Sequence, residues 1–255
     1  MYEIKIAEVK FHRVGLSEAV NKIEEFINGN QTRQVCVTNT YSVVVMQADR
    51  EFKRANNLSS LVVADGMPIV WLSHMYKNPI PRRIAGADLL DAVSNAANER
   101  GYTFFFLGAS EKILKRIVTN LGKKYPRLQI AGTYAPPFKE VFTEEDNREM
   151  IEKINAVHPD VLWVGLSAPK QEKWIFHNLG RLKVGAAIGV GAVFDFIAGT
   201  VKRAPVWMQR MGLEWLWRFF QEPTRLWRRY IIGNTVFLFL VLKEVLFNSW
   251  NRNPD

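Results

Sequence analysis

The stretch TFFFLGASEK, residues 103–112, sets the architecture of this chain. It reads as a buried strand that ends in Gly108, with Ser110 placed to cap a helix over Glu111–Lys124. Two later segments repeat the theme. Asp160 to Gly165 is an apolar strand leading through LSAPKQ into a helix near Pro169–Leu179, and Val184 to Gly189 is a strand closing on Gly189-Val190-Gly191. Buried strands that end in glycine and turn into helices build the ligand crevices of open α/β sheets, at the C-terminal ends of the strands.

The pattern extends towards the N-terminus. Apolar residues at helical spacing (Ala19, Val20, Ile23, Phe26, Ile27) predict a helix over Ser17–Ile27, stopped by Gly29. Gln34–Thr38 reads as a strand followed by one helix through Val43–Ala55. Ser60–Ala64 reads as a second buried strand ending at Asp65-Gly66, and Ala87–Arg100 as a helix stopped by Gly101. Strand and helix patterns alternate over residues 1–200, which predicts an α/β core with a largely parallel sheet covered by helices.

After about Thr200 the character changes. Residues 1–200 hold 25 basic and 21 acidic side chains, whereas residues 201–255 hold 9 and 4, so over half of the net charge of +9 sits in the last fifth. Between Lys202 and Arg229 there are seven basic residues, two acidic ones and four of the eight tryptophans. This division predicts an α/β core over 1–200 and a basic, Trp-rich helical appendage over 201–255. Its charge suits a polyanionic partner: membrane, nucleic acid or diphosphate. The apolar run YIIGNTVFLFLVL, residues 230–242, is thirteen residues long. As a helix it would rise about 20 Å against a bilayer core of about 30 Å, so it reads as interfacial or packed on the core rather than spanning. The same apolar surface would equally serve a homo-oligomer. One cysteine, Cys36, excludes an internal disulfide and suits the cytoplasm. The N-terminus MYEIKIAEVKFHR has no long apolar run and does not read as a signal peptide.

Several residues are placed for chemistry. Asp65 follows the strand LVVA, where a carboxylate faces the ligand crevice; it reads as a general base, or as a helix N-cap or turn aspartate, since Asp-Gly is a common turn pair. Asn39 stands at the same sheet edge, to bind a sugar hydroxyl or to cap the next helix. In RRIAGAD, Arg82 and Arg83 are suited to phosphate, and Asp88 to a cap. Gly165-Leu166-Ser167-Ala168-Pro169-Lys170-Gln171 is the most phosphate-like loop but is no Walker loop. Asp195, after a lone GxG, is placed to meet a ribose or sugar hydroxyl. Arg218, Arg225 and Arg229 share a face if their helix is continuous, with Pro223 as an interruption. There is no Asp-x-Asp pair and no Cys/His cluster of metal spacing.

Taken in order, CVTNTYSVV, VVADGMPIVW, RRIAGADLL, FFFLGAS, VGLSAPKQEKWI, IGVGAVFDFIAGTVKRAP and GLEWLWRFFQEPTRLWRRY resemble the WecG/TagA/CpsF glycosyltransferases, from roughly Glu3 to Tyr230. The resemblance implies a Rossmann-like core with a membrane-docking appendage that completes the active site. It implies an inverting, metal-independent transfer, without a cofactor, from a UDP-sugar to a polyprenyl-diphosphate-linked sugar. The donor is typically UDP-N-acetylmannosamine or its uronic acid. It makes Asp65 the catalytic base and Asn39 the sugar-binding asparagine. Gln171 and Asp195 fall in the donor pocket. Arg218 stabilises the diphosphate, helped by Arg225 and by Arg228 or Arg229. Thr38, Arg83, Gly86 and Gly165 join the substrate-binding candidates. One departure stands out: where the family usually has threonine two residues before the asparagine, this chain has Val37, with Thr38 adjacent to Asn39. The rival classes are a dinucleotide-dependent oxidoreductase, which lacks its GxGxxG after the first strand, and a nucleic-acid-binding module, for which no motif is found.

Overall fold

A computed structural model describes residues 2–76 and 79–251, leaving aside the side chains of Arg210, Arg225, Arg228, Arg229 and residues 245–251. The chain opens with a hairpin, β1 (Glu3–Ile6) and β2 (Val9–His12), then α1 (Leu16–Ile27) and β3 (Arg33–Thr38). There follow α2 (Thr40–Ala48), α3 (Arg50–Leu58), β4 (Leu61–Ala64), α4 (Met67–Ser73) and α5 (Gly86–Arg100). The middle of the chain runs β5 (Thr103–Gly108), α6 (Glu111–Lys124), β6 (Gln129–Tyr134), α7 (Glu144–Asn155), β7 (Val161–Gly165), α8 (Lys170–Asn178), β8 (Ala186–Gly189) and α9 (Val193–Ile197). The last part is helical: α10 (Val206–Arg210), α11 (Glu214–Gln221), α12 (Pro223–Trp227), a π-helical turn at Arg228–Ile232, and α13 (Gly233–Asn251).

Six strands form one parallel sheet in the order β4-β3-β8-β7-β5-β6. Side chains alternate between its faces, as a pleated strand requires. On one face Val35, Leu61, Val63, Phe104, Phe106, Trp163 and Ile188 form a core with α1, α5, α6 and α9. On the other, Cys36, Val62 and Ala64 pack with the hairpin, α2 and α4, while Phe105, Leu107, Leu162 and Val164 pack with α7 and α8. Helices on both faces of a parallel sheet make a Rossmann-like α/β fold. The hairpin shields the β4 edge: the His12 Nδ1 accepts the Val62 N–H at 2.8 Å, covering a donor that would otherwise offer itself to another strand. Burial, with the Lys10 charge, pushes the His12 pKa down to about 4, so the ring stays neutral and keeps that acceptor.

The glycine-terminated strands fold as expected, and Ser110 caps α6 by accepting the Ile113 N–H. Gly108 is required twice over. Its φ is +115°, and a Cβ there would lie 2.6 Å from the Gly165 carbonyl oxygen. One expectation is corrected. The single helix over Val43–Ala55 is two helices, because Asp49 leaves helical geometry (φ −102°, ψ 90°) and its carboxylate accepts the Phe52 N–H to start α3. The apolar run at 230–242 is divided between the π-helical turn and α13, a helix of 19 residues. α13 buries Phe237 in the α2/α4 core, and its Glu244 accepts the Ala7 N–H at 2.7 Å and the Tyr76 hydroxyl. Among the described residues no helix is long and apolar enough to cross a membrane.

Candidate active site

β3 and β4 run in parallel and in register, Thr38 beside Ala64, so the residues that follow them emerge side by side as Asn39 and Asp65. Both line a cavity of about 580 Å³ at this edge of the sheet, within the size range of small-molecule sites. Arg83, Ala85 and Gly86 close one wall, Val193 and Phe196 of α9 another. Glu214, Trp215 and Arg218 of α11, Tyr230, and Phe237, Leu238 and Val241 of α13 roof it. The cavity is therefore built jointly by the sheet edge and by the helices after residue 200.

The Asp65 carboxyl sits at the junction. Its backbone N–H is spent on the Thr38 carbonyl at 2.9 Å, and Gly66, not Asp65, is the N-cap of α4, so Asp65 is not there to start a helix. Burial pushes its pKa up to about 6, against the pull of the Arg83 guanidinium and with a further push from the Glu214 carboxylate; the Gly86 N–H and Arg203 oppose. The side chain keeps 29% of its surface exposed. Water therefore reaches the carboxyl in the open cavity, and a bound substrate would desolvate it further. Gly86 lets the start of α5 pack closely on α9, since a Cβ there would meet the Val193 Cγ2 at 2.9 Å.

Of the two roles its position allowed, the structure shows Asn39 in the capping one. Its Oδ1 accepts the Ser42 N–H at 3.0 Å and so caps α2, which leaves the amide nitrogen for a ligand. Arg218 lies over the Phe196 ring at 5.2 Å, with Nη2 3.7 Å from Glu222. Its Nε is buried and has no hydrogen-bond partner among the described residues. The residue lines the cavity, so its guanidinium brings a positive charge to the wall.

Asn39, Asp65, Arg83, Gly86 and Arg218 are thus brought together, and four other candidates are not in this wall. The Thr38 hydroxyl is buried and donates to Asn56 Oδ1 at 2.6 Å, on the opposite face of β3 from Val37, whose side chain approaches Gly86. Gly165 packs against Phe194 and Gly108. Gln171 lies against Gly189 and Gly191, with Nε2 donating to Glu172 Oε1 at 2.8 Å and Oε1 buried without a partner among the described residues. Asp195, in α9 between the lining residues Val193 and Phe196, accepts the Thr200 hydroxyl at 3.3 Å. The side chains of Arg225 and Arg229 lie outside the described residues; Pro223 does break the stripe, placing Arg218 on α11, Arg225 on α12 and Arg229 in the π-helical turn.

The model of the glycosyl transferase WecG/TagA/CpsF family matches residues 4–251. The chain belongs to this family. This glycosyltransferase is 32% identical over 196 residues to an N-acetylglucosaminyldiphosphoundecaprenol N-acetyl-beta-D-mannosaminyltransferase of Bacillus subtilis (strain 168), covering 77% of the chain and 73% of that relative. It is 26% identical over 243 residues to the protein of the same name from Staphylococcus aureus (strain MW2), covering 94% and 92%.

Around the cavity stand groups that inspection of the sequence missed. Arg83 Nη2 donates to Glu214 Oε2 at 2.6 Å, Arg203 Nε to Glu214 Oε1 at 3.0 Å, and Arg203 grips Asp88 with both terminal nitrogens, at 2.5 and 3.0 Å. Asp88 is therefore an ion-pair partner rather than the cap of α5, which is Ala85. Burial works against the Arg203 charge, but Asp88 and Glu214 more than offset it and raise its pKa. The signal in the sequence was slight: Glu214 is one of only two acids in a strongly basic stretch.

Proposed function

We propose that this glycosyltransferase moves N-acetylmannosamine, with inversion, from a UDP-linked donor to the sugar of a polyprenyl-diphosphate-linked acceptor. In this reading the acceptor hydroxyl oxygen bonds to the anomeric carbon as the bond from that carbon to the diphosphate breaks. The hydroxyl proton passes to Asp65, and UDP leaves. The observation that carries the reading is the Asp65 carboxyl at the cavity floor, with a pKa raised to about 6. A base poised near neutral pH is ionised at the start and strong enough to take a proton in the transition state.

Charge on the departing diphosphate needs cationic donors, and the Arg218 guanidinium in the cavity wall is one of them. Family resemblance adds Arg225 and Arg229. No metal is part of this proposal, because arginine donors take the role of a divalent ion. The names of the relatives in Bacillus subtilis and Staphylococcus aureus support the choice of sugar and acceptor. Exposed apolar side chains among basic ones on the helices after residue 200, including Trp207, Phe220 and Phe239, support docking on the cytoplasmic face of a membrane, where a lipid-linked acceptor resides.

The test is UDP release in detergent micelles, with a panel of UDP-sugars, a lipid-diphosphate-linked N-acetylglucosamine acceptor, and a chelator in parallel samples. The expected result is acceptor-dependent, chelator-resistant release with UDP-N-acetylmannosamine that disappears in Asp65→Asn. Release that survives in a folded Asp65→Asn enzyme removes Asp65 as the base.

A further inference from the structure

We propose that Glu214 is a positioning residue of the transfer reaction, reaching from α11 to hold Arg83 away from Asp65 so that the carboxylate stays free to accept the acceptor's proton. The inference rests on the reading of Asp65 as the base. Its ground is an asymmetry of distances. The Arg83 guanidinium lies between two carboxylates, 2.6 Å from Glu214 Oε2 through Nη2 but 3.9 Å from Asp65 Oδ1 through Nε. The first is a charge-assisted hydrogen bond; the second is too long to be one.

Glu214 is itself fixed. Its other oxygen, Oε1, accepts from Arg203 Nε at 3.0 Å, and Arg203 is anchored to the first turn of α5 through Asp88. Each carboxylate oxygen of Glu214 therefore engages a different arginine, and the side chain is only 19% exposed. The charged and titratable groups around Asp65 come from several elements. They are Arg83 before α5, Asp88 on α5, Arg203 before α10, Glu214 and Arg218 on α11, Tyr41 on α2 and Tyr230 in the π-helical turn. Without the Glu214 charge, Arg83 has one carboxylate left within reach, and that is Asp65. An arginine paired with the base lowers its proton affinity and blocks the lone pair the acceptor needs. Because α11 lies beyond residue 200, the base is tuned only when that helix is seated on the core.

The test compares pH profiles of kcat in micelles, using UDP-N-acetylmannosamine and the lipid-diphosphate acceptor, for the parent, Glu214→Gln, Glu214→Asp and Arg83→Gln. Glu214→Gln is expected to move the acid limb down by about one pH unit and to lower the plateau about three- to tenfold, as a weaker base should. Glu214→Asp, which keeps the charge, is expected to hold the limb near its parent position. Arg83→Gln is expected to move the limb up. Opposite movements in the Glu214→Gln and Arg83→Gln variants are the signature, because a merely structural pair loses activity with no change in the limb. An unmoved limb in folded Glu214→Gln or folded Arg83→Gln overturns the proposal, so either variant decides if the other does not fold. Asp65→Asn, assayed alongside, separates the two readings. Retained transfer there defeats the base itself, whereas abolished transfer with an unmoved limb in Glu214→Gln defeats only the role of Glu214.

Discussion

Arg203 and Asp88 meet fork to fork, two guanidinium nitrogens at 2.5 and 3.0 Å from the two carboxylate oxygens, 115 residues apart in the chain. The pair fastens the start of the terminal helical segment to the first turn of α5, beside the wall of the cavity. Bidentate geometry fixes orientation as well as distance. Arg203→Lys is therefore not conservative. It keeps the charge but cannot hold Asp88 with two donors and Glu214 with a third. The expected outcome is a loss of about 1–2 kcal/mol in stability, with a larger proportional loss in turnover as α11 loosens. Thermal melts and UDP release on the same preparation check both.

Turnover is expected to depend on pH through Asp65. The active form of a general base is the deprotonated one. With a pKa pushed up to about 6, the carboxylate dominates above that pH and is lost as pH falls through it. Activity is expected to fall about tenfold per unit below pH 5. An ordinary aspartate would put this limb near pH 4. A profile flat down to pH 4.5 in a folded enzyme would contradict the raised pKa.

Much of the fold was legible because each signal was local. A run such as Thr103–Leu107 carries its own burial, and the glycine and serine after it carry the turn and the cap. Asp65 and Asn39 were legible for a related reason: in a parallel sheet the residue after a strand always emerges at the ligand edge. The Asp49 break was missed because Val43–Ala55 keeps helical periodicity across it, and one cap hydrogen bond overrides that pattern. Glu214 was missed because its meaning depends on Arg83, 131 residues away. Thr38 had the right residue type but, by the period-two alternation of β3, the opposite face from Val37.

Membrane association is expected to depend on apolar side chains of the terminal helices as well as on their charge. Trp207 is 59% exposed and Phe220 72%. An exposed aromatic on a basic helix gains by entering the headgroup region, while basic residues add an attraction that salt weakens. The full chain is expected to co-sediment with anionic vesicles and less with neutral ones. Trp207→Ser with Phe220→Ser should reduce binding about tenfold without changing the melting temperature by more than a degree or two. Unchanged binding by that double variant would send the docking surface elsewhere on the molecule.

Asp65→Asn, expected to remove activity, is also expected to stabilise the protein. The folded Asp65 pKa is about 6 and the unfolded one about 3.8, so the fold favours the protonated form. Below about pH 4 the group is protonated in both states, and its favourable contribution is fully present. As pH rises through 6, that contribution is lost, and at pH 8 the fold holds a carboxylate it would rather see neutral. Two units correspond to about 3 kcal/mol, and the partial exposure of the side chain reduces this to about 1–2 kcal/mol. Asp65→Asn carries no charge at any pH, so its stability relative to the parent should be higher at pH 8 and converge with it at pH 4. Taking the difference between the two proteins cancels His12, whose depressed pKa acts in the opposite direction over the same window. Denaturant midpoints at pH 4, 6 and 8 provide the measurement. A variant less stable than the parent at pH 8 would mean that the carboxylate holds the cavity together rather than being strained within it.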